Sequence, residues 1–486
     1  MAVALLADLD RDSDVPLYRQ LRAALERGIL TGQIGVGTRL PSSRELSATL
    51  DVSRNTVVTA YQELVAEGYV TPLARSGLVV NPELTRRPTP PPRGRLDWAA
   101  RLGRLPGGDL PLSNRPLDWY RYPYPFLGGQ PSADLFPRQA WLRALRAALE
   151  PPHHWASLQD AQDADDPLLL DALCRHVLPA RGIEAAPAEV MVTLGSQHGH
   201  ALVTAALLGP GKRMAVENPG YPDLWHIAAA TGAALVPLAV DGAGLIPTPE
   251  LATVDALAVT PSHQYPTNVT LSVGRRHQLL DAAGRHGFVI VEDDYDSEFR
   301  YQGSPSPALK ALDTGGHVVY LGSFSKFLAP GLRLGFLAGD AALVAHLRER
   351  RRFQVRHAPG HQQRALALLI DAGDYARALR RARAHLKERW QATVDAVGTE
   401  LGWGTGHDGG FPSGGTGLWV VGPPELDSEA LAAAARRRGV LVEPSPAYSL
   451  AEPRLRNALK VGFASVRTDR IGGGIAELAA AWRSLP

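Results

Sequence analysis

The sequence almost lacks cysteine. Cys174 is the only thiol in 486 residues, so no disulfide can close within the chain and a metal centre built on several thiolates is excluded. An excess of charge of one sign is missing as well. Lys and Arg number 51 against 49 Asp and Glu, a formal net charge of +2. The chain as a whole is therefore not a polybasic nucleic-acid binder, and any DNA-binding face has to be local. No apolar run reaches membrane-spanning length, because Gly, Pro or a charge interrupts the longest candidates. Met1–Asp10 has no basic stretch ahead of an apolar core, so no secretory signal is expected, and a cytoplasmic location is the default expectation.

What is present fits globular domains: 45% hydrophobic and 21% charged residues, in a chain too long for one ordinary core. Three zones appear. Residues 14–80 are dense in helix signals and end in a short β pattern. Residues 81–115 hold Pro82, Pro88, Pro90, Pro91 and Pro92 among Arg86, Arg87, Arg93 and Arg95. Prolines this dense neither propagate a helix nor donate to a sheet, so this zone is expected to be an exposed, semi-rigid linker. Residues 116–486 alternate short apolar runs with amphipathic stretches, the pattern of a mainly parallel sheet with crossover helices. The Arg-rich stretch Leu343–Phe353 reads as an exposed helix face.

In the first zone, Pro16–Gly28 reads as a helix with Leu17, Leu21, Ala24 and Leu25 on one face. Ser42 and Glu45 have capping-box spacing for a second helix. A turn at Val52–Asn55 leads into a third helix that starts near Ser53 and stops at Gly68. Tyr69–Thr71 and Leu78–Val80 then form two short strands. Helix, helix, turn, helix and hairpin is the order of a winged helix-turn-helix. Ser53, Arg54, Asn55 and Thr56 at the start of the third helix are short or forked hydrogen-bonders, suited to base edges and phosphates. Arg44 opens the preceding helix, and Arg75 and Gly77 lie in the wing. A helical protein-interaction module with a few solvated arginines is the competing interpretation. The run Pro16-Leu17-Tyr18, Gly35–Leu46, Val52–Val57, Tyr61–Leu64 and Glu67–Val70 resembles the GntR-type winged helix throughout. The wing tip Ala74-Arg75-Ser76-Gly77 departs from that family's usual pattern.

The last zone carries four signals in a fixed order. Thr193-Leu194-Gly195-Ser196-Gln197 is a strand running into a glycine-led helix start, whose free N–H groups suit phosphate. Glu217-Asn218-Pro219-Gly220-Tyr221 is a rigid turn presenting a ring. Phe288–Tyr295 ends an apolar strand in Glu292-Asp293-Asp294, where α/β folds bind ligands; a metal-binding or helix-capping pair of carboxylates is the alternative. Ser323-Phe324-Ser325-Lys326, with Arg333 after it, suits a phosphorylated aldehyde: an amine for a Schiff base, and hydroxyls and a guanidinium for phosphate. Alone, a Ser-x-Lys is most often a surface feature.

Together the four resemble fold-type I pyridoxal-phosphate enzymes, the aspartate aminotransferase-like group. With the N-terminal module, the chain is similar to the MocR/GabR family of regulators over nearly its whole length. The resemblance implies an α/β fold of two parts: a winged helix-turn-helix at 1–80, a linker at 81–115, and an aminotransferase-like domain at 116–486 whose small lobe starts at about 360. It implies pyridoxal 5'-phosphate as cofactor. Lys326 would be its Schiff-base lysine, Asp293 the partner of the pyridine nitrogen, Tyr295 that of the ring hydroxyl, and Tyr221 the stacking ring. Gly195, Ser196, Gln197, Ser323, Ser325 and Arg333 would surround the phosphate, and His263 lies in the loop near the ring hydroxyl. It also implies a homodimer on double-stranded operator DNA and, as effector, pyridoxal phosphate itself or an amine or amino acid. Two positions depart from the aminotransferase pattern. Lys460 stands where those enzymes carry a substrate-binding arginine, and Asp223 where some sensors have one; Arg456 is the nearest substitute in sequence. A working aminotransferase localised by its DNA-binding domain, and a cofactor-free dimerisation scaffold, are the competing functions.

Overall fold

Leu21, Leu25 and Ile29 recur at helical spacing and are buried along one face of α1 (Leu17–Leu30). This is the first element in a computed structural model that describes residues 9–73, 77–84, 96–103, 107–113, 115–303, 306–406 and 410–485. The chain separates into two compact units, Met1–Gly103 and Arg104–Pro486.

In the first unit, α2 (Ser43–Leu50) opens on a complete capping box. The Ser42 hydroxyl accepts from the Glu45 N–H at 3.2 Å, and the Ser42 N–H donates to the Glu45 carboxylate at 2.8 Å. Asp51, in the left-handed region at φ 52°, ends α2. α3 (Arg54–Ala66) follows and buries Val57, Ala60, Tyr61 and Leu64 against the α1 leucines and Leu46. Arg54 and Asn55 are already helical, in line with a helix start near Ser53, because the Ser53 hydroxyl caps the Thr56 N–H at 3.0 Å. β1 (Val70–Leu73) and β2 (Gly77–Val80) pair antiparallel, from Val70 opposite Val80 to Leu73 opposite Gly77. Arg75 and the linker residues 85–95 lie outside the described residues.

The second unit is built on one eight-stranded sheet. Its strands are β3 (Val190–Thr193), β4 (Arg213–Asn218), β5 (Ala234–Asp241), β6 (Gly244–Leu245), β7 (Ala256–Val259), β8 (Val289–Asp294), β9 (Val318–Ser323) and β10 (Gly335–Ala338). They lie in the order β3-β10-β9-β8-β7-β4-β5-β6. The run from β9 through β8, β7 and β4 to β5 is parallel, while β10 and β6 run antiparallel to their neighbours. Every residue of β3, β7, β9 and β10 is buried, which is why these strands read as continuous apolar runs rather than alternating ones. Helices α4 (Ser196–Leu207), α5 (Pro222–Ala229), α6 (Val273–His286) and α7 (Ala341–Arg352) follow strands, and a 27-residue helix, α8 (Asp374–Glu400), leads to the C-terminal part. There β11 (Gly417–Val421), β12 (Glu443–Pro444) and β13 (Ala458–Gly462) form a small antiparallel sheet with β13 in the middle.

Two expectations are corrected. The end of the linker zone is docked rather than exposed. Leu110 packs against the same apolar cluster as Tyr221, the Pro111 carbonyl accepts from His226 at 3.1 Å, and Arg115 is bonded to a buried carboxylate described below. Proline density predicts the absence of helix and sheet, not the absence of contacts. Nor is the arginine-rich helix α7 merely a solvated face. Arg351 is fully buried, donating to Asp165 and to the carbonyls of Val192 and Asp163, and Arg348 reaches the Val190 carbonyl at 2.6 Å. The helix is thus fastened to the edge strand β3.

Removing one partner of a buried ion pair leaves the other charge uncompensated. Asp165→Ala is therefore expected to cost about 3–5 kcal/mol, read as a lowered midpoint in chemical denaturation of the full chain. A loss within 0.5 kcal/mol, the size typical of surface substitutions, refutes that role.

Candidate functional site

The carboxyl ends of β3, β4, β8 and β9 converge on one chamber. At the end of β3, Gly195 takes φ 88°, a conformation that favours glycine, and hands the chain into α4. Arg333, itself left-handed at φ 49°, donates from Nη2 to the Leu194 carbonyl at 2.8 Å. Its guanidinium lies 3.4 Å from where a Cβ on Gly195 would stand. Arg333 is thereby held at the α4 N-terminus, beside the unpaired N–H groups of Ser196 and Gln197. Ser323 ends β9 and its hydroxyl accepts from the Ser325 N–H at 3.2 Å. The buried Ser325 hydroxyl has no partner. Backbone N–H groups, two hydroxyls and a guanidinium around one helix start form the donor set of a phosphate cradle.

Asp293 is 6% exposed. One of its oxygens meets His200 Nε2 of α4 at 2.8 Å, and the other is buried without a partner. Such an oxygen calls for a donor, which a protonated ring nitrogen supplies. Tyr265, Tyr221 and Tyr295 pack edge to face, with Tyr265 5.4 Å from Tyr221 and 5.8 Å from Tyr295 between ring centroids. The Tyr221 hydroxyl donates to Asp223 at 3.0 Å, and burial, with Asp223 adding, raises it well above a free phenol. Burial likewise raises Tyr295. Lys326 Nζ lies 5.9 Å from the Tyr295 centroid and close to Gly129, where a Cβ would collide with it. Burial lowers the Lys326 pKa, and the Arg115 charge lowers it further against Asp296 and Asp293. A depressed pKa leaves more of the amine neutral and nucleophilic.

The outer wall is a charge cluster. Glu443 of β12 accepts from Arg115 Nε at 2.8 Å and from the Gly128 N–H at 2.7 Å. Although burial opposes it, Arg115 and Lys460 hold Glu443 below the usual carboxylate range. Lys460 of β13 has Nζ 3.2 Å from the Tyr265 ring centroid. Burial pushes it down to about 7, against Glu443 and with Lys326 and Arg115 adding.

The comparisons with known proteins match this construction in both units. The family of bacterial regulatory proteins, gntR, matches residues 17–80, and aminotransferase class I and II matches residues 138–472. The HTH-type transcriptional regulator TauR of Rhodobacter capsulatus is 41% identical over 96% of this chain and 96% of its own. The probable rhizopine catabolism regulatory protein MocR of Rhizobium meliloti is 33% identical over 98% of this chain and 96% of its own. The chain belongs to the MocR-type, GntR-family transcriptional regulators. Among solved structures, a Pyrococcus horikoshii kynurenine aminotransferase complexed with PMP aligns at TM-score 0.67 and 27% identity, over 74% of this chain and 90% of that one. The large domain of the regulator is thus of the pyridoxal 5'-phosphate-binding aminotransferase fold, and the chamber's donors fit that cofactor.

Of the residues expected at the regulator's site, the structure brings Gly195, Ser196, Gln197, Tyr221, Asp293, Tyr295, Ser323, Ser325, Lys326 and Arg333 to this chamber. His263 is buried beside them, with its Nδ1 meeting Asp296 Oδ1 at 2.8 Å and its Nε2 facing Gly414. The neighbouring Tyr265 packs between Tyr221 and Tyr295. Arg456 is exposed and paired with Asp427 at 3.3 Å, so it does not stand in for a missing anchor. Arg115 and Glu443 were not legible from motifs, because each gains meaning only from the other. Glu217 was missed too; it accepts from the Thr260 N–H and hydroxyl, and that hydroxyl accepts from the Tyr265 N–H. In the winged helix, Arg44, Ser53, Arg54 and Asn55 are exposed and Thr56 is half-buried. The Ser53 and Thr56 hydroxyls lie 2.8 Å apart, and Arg54 Nε donates to Ser43 at 3.3 Å. Gly77 opens β2 with the exposed Arg39 guanidinium beside it, a cation that the motif reading overlooked.

Burial pushes Glu217 up from 4.5 to about 7, against the Thr260 bonds. The folded state then keeps a proton that the unfolded chain has released, so stability from this group is lost as pH rises through that window. Relative to Glu217→Gln, the wild type is expected to lose about 3 kcal/mol between pH 4.5 and 7 and to change little above. Denaturation midpoints measured across that range check this, and a pH-independent difference refutes it.

Proposed function

We propose that the regulator is a cytoplasmic homodimer that reads two DNA half-sites and senses, at Lys326, pyridoxal phosphate itself or an amine or amino acid that exchanges there. Bound pyridoxal phosphate supplies an aldehyde open to amines and an electron-accepting ring. The chain's own residues do the rest. Arg333, Ser323, Ser325 and the N–H groups after Gly195 hold the phosphate. Asp293, oriented by His200, meets the ring nitrogen. Tyr221 and Tyr295 fix the ring plane and its hydroxyl, and Lys326 provides the amine. The observation that carries this reading is the unpartnered buried oxygen of Asp293 in one chamber with a lysine of depressed pKa.

The route from chamber to DNA is supported by the docked end of the linker. Pro111 is bonded to α5, the helix that Tyr221 begins, and Arg115 to Glu443 beside Lys460. A ligand that changes the charge near Lys460 changes the hold on Arg115, and so favours one arrangement of the segment leading to the winged helix. In that domain Arg54 and Asn55 read base edges, Ser53 and Thr56 set the helix start, Arg44 meets phosphate, and Arg75 and Gly77 belong to the wing.

Titration of the purified chain with pyridoxal phosphate is expected to raise an absorbance band near the visible edge. Borohydride is expected to fix an adduct on the peptide bearing Lys326, and Lys326→Ala is expected to abolish both. Colourless protein at saturating aldehyde overturns the sensor reading.

On an operator selected from random duplexes, Arg54→Ala is expected to cost about 1–3 kcal/mol and relax base preference. Arg44→Ala is expected to weaken all sequences evenly and reduce the salt slope by about 1. Equal effects of the two on selectivity overturn the assignment.

A further inference from the structure

Behind β9, on the side away from His200, lies a cavity of about 360 Å³ that shares only Ser323 with the cofactor site. That volume is within the range of small-molecule pockets. Its floor includes Gly322 and Ser323 of β9, and it reaches the 176–181 segment and the first turns of α8. Three aromatic rings line it, Tyr320, Phe336 and Tyr375, all buried. Three carboxyl groups line it too: Asp294, Glu298 and Asp371.

Asp294 is 3% exposed. Its Oδ2 accepts from Arg181 Nε at 2.7 Å, from the Tyr320 hydroxyl at 2.7 Å and from the Ser297 hydroxyl at 2.8 Å, while its Oδ1 is buried and unpartnered. Arg181 is the one guanidinium in the lining, set against these three acids. His176, 3.8 Å from Asp371, is the other basic side chain there. Aromatic faces attract cations through their quadrupole, and a carboxylate close by adds the opposite charge.

We propose that this cavity is a second ligand site, separate from Lys326, for a small organic cation: an alkyl- or arylammonium ion held by the Asp294 and Glu298 carboxyls among Tyr320, Phe336 and Tyr375. Burial, with Asp294 adding, pushes Glu298 up to about 8. At neutral pH it keeps its proton in the empty cavity and releases it when a cation enters, so the empty state does not bury a second bare charge.

The probe is benzyltrimethylammonium, which has no N–H and cannot condense with an aldehyde, titrated calorimetrically into the full chain saturated with pyridoxal phosphate. One saturable site is expected, and benzyl alcohol, similar in shape but uncharged, should bind at least roughly tenfold more weakly. Ala376→Trp, at an exposed position of α8 that lines the cavity, fills the space without removing a core side chain and should abolish binding. Glu298→Gln should weaken it by roughly tenfold or more. Lys326→Ala should leave binding in place, which separates this site from the sensor reading. Absence of saturable binding, equal affinity for the alcohol, or binding that persists in Ala376→Trp overturns the proposal, as does loss in Lys326→Ala.

Discussion

The structure turns on one buried carboxylate with only half of its bonding satisfied. An unpaired buried acceptor costs of the order of 1–3 kcal/mol, and more when charged. A protein keeps such a group where something else completes it. Asp293 is in that position: His200 takes one oxygen and the fold leaves the other bare. Around it, the sheet ends and the α4 start arrange donors, and the three tyrosines belong to a small aromatic cluster with Trp419 and Tyr448. The apolar clusters on the two faces of the sheet pack against β8 and β9, so this acceptor is preorganised.

A second constraint lies on the outer wall. Lys460, Lys326 and Arg115 are three basic groups sharing one buried acid, Glu443, and none is isolated from the others' charge. Such a cluster responds as a unit, and a change at one member is felt by the rest. Arg115 sits at the end of the segment that comes from the winged helix, so this electrostatic unit has a covalent handle on the DNA-binding half. In the signalling proposed above, a shared charge balance takes the place of a long chain of packed side chains.

What was legible in the sequence was local or periodic. The Ser42–Glu45 box, the Ser53 cap and the strands ending at Thr193, Asp294 and Ser323 are all set by neighbours within a few residues, and the four cofactor motifs each combine a strand end with its following turn. What was not legible depends on pairing across the chain. Arg115 and Glu443 are 328 residues apart, and Arg351 and Asp165 are 186 apart. A single arginine in a proline-rich or arginine-rich stretch looks solvated until the fold presents its acid. His263 also gained a partner that the sequence did not announce. Its loop does reach the chamber, but Asp296 claims the imidazole and leaves the approach to Tyr265.

Successive residues of a strand point to opposite faces. In β8 this places Asp293 toward His200 and Asp294 toward Arg181, so a single peptide unit carries one acid for each side of the sheet. A shift of one residue in that strand would turn both acids to the opposite faces, so that neither would meet its present partner. Insertions and deletions are therefore excluded from this stretch more strictly than any single substitution. In divergent relatives, length changes should accumulate in the loops on either side while these six positions keep their count.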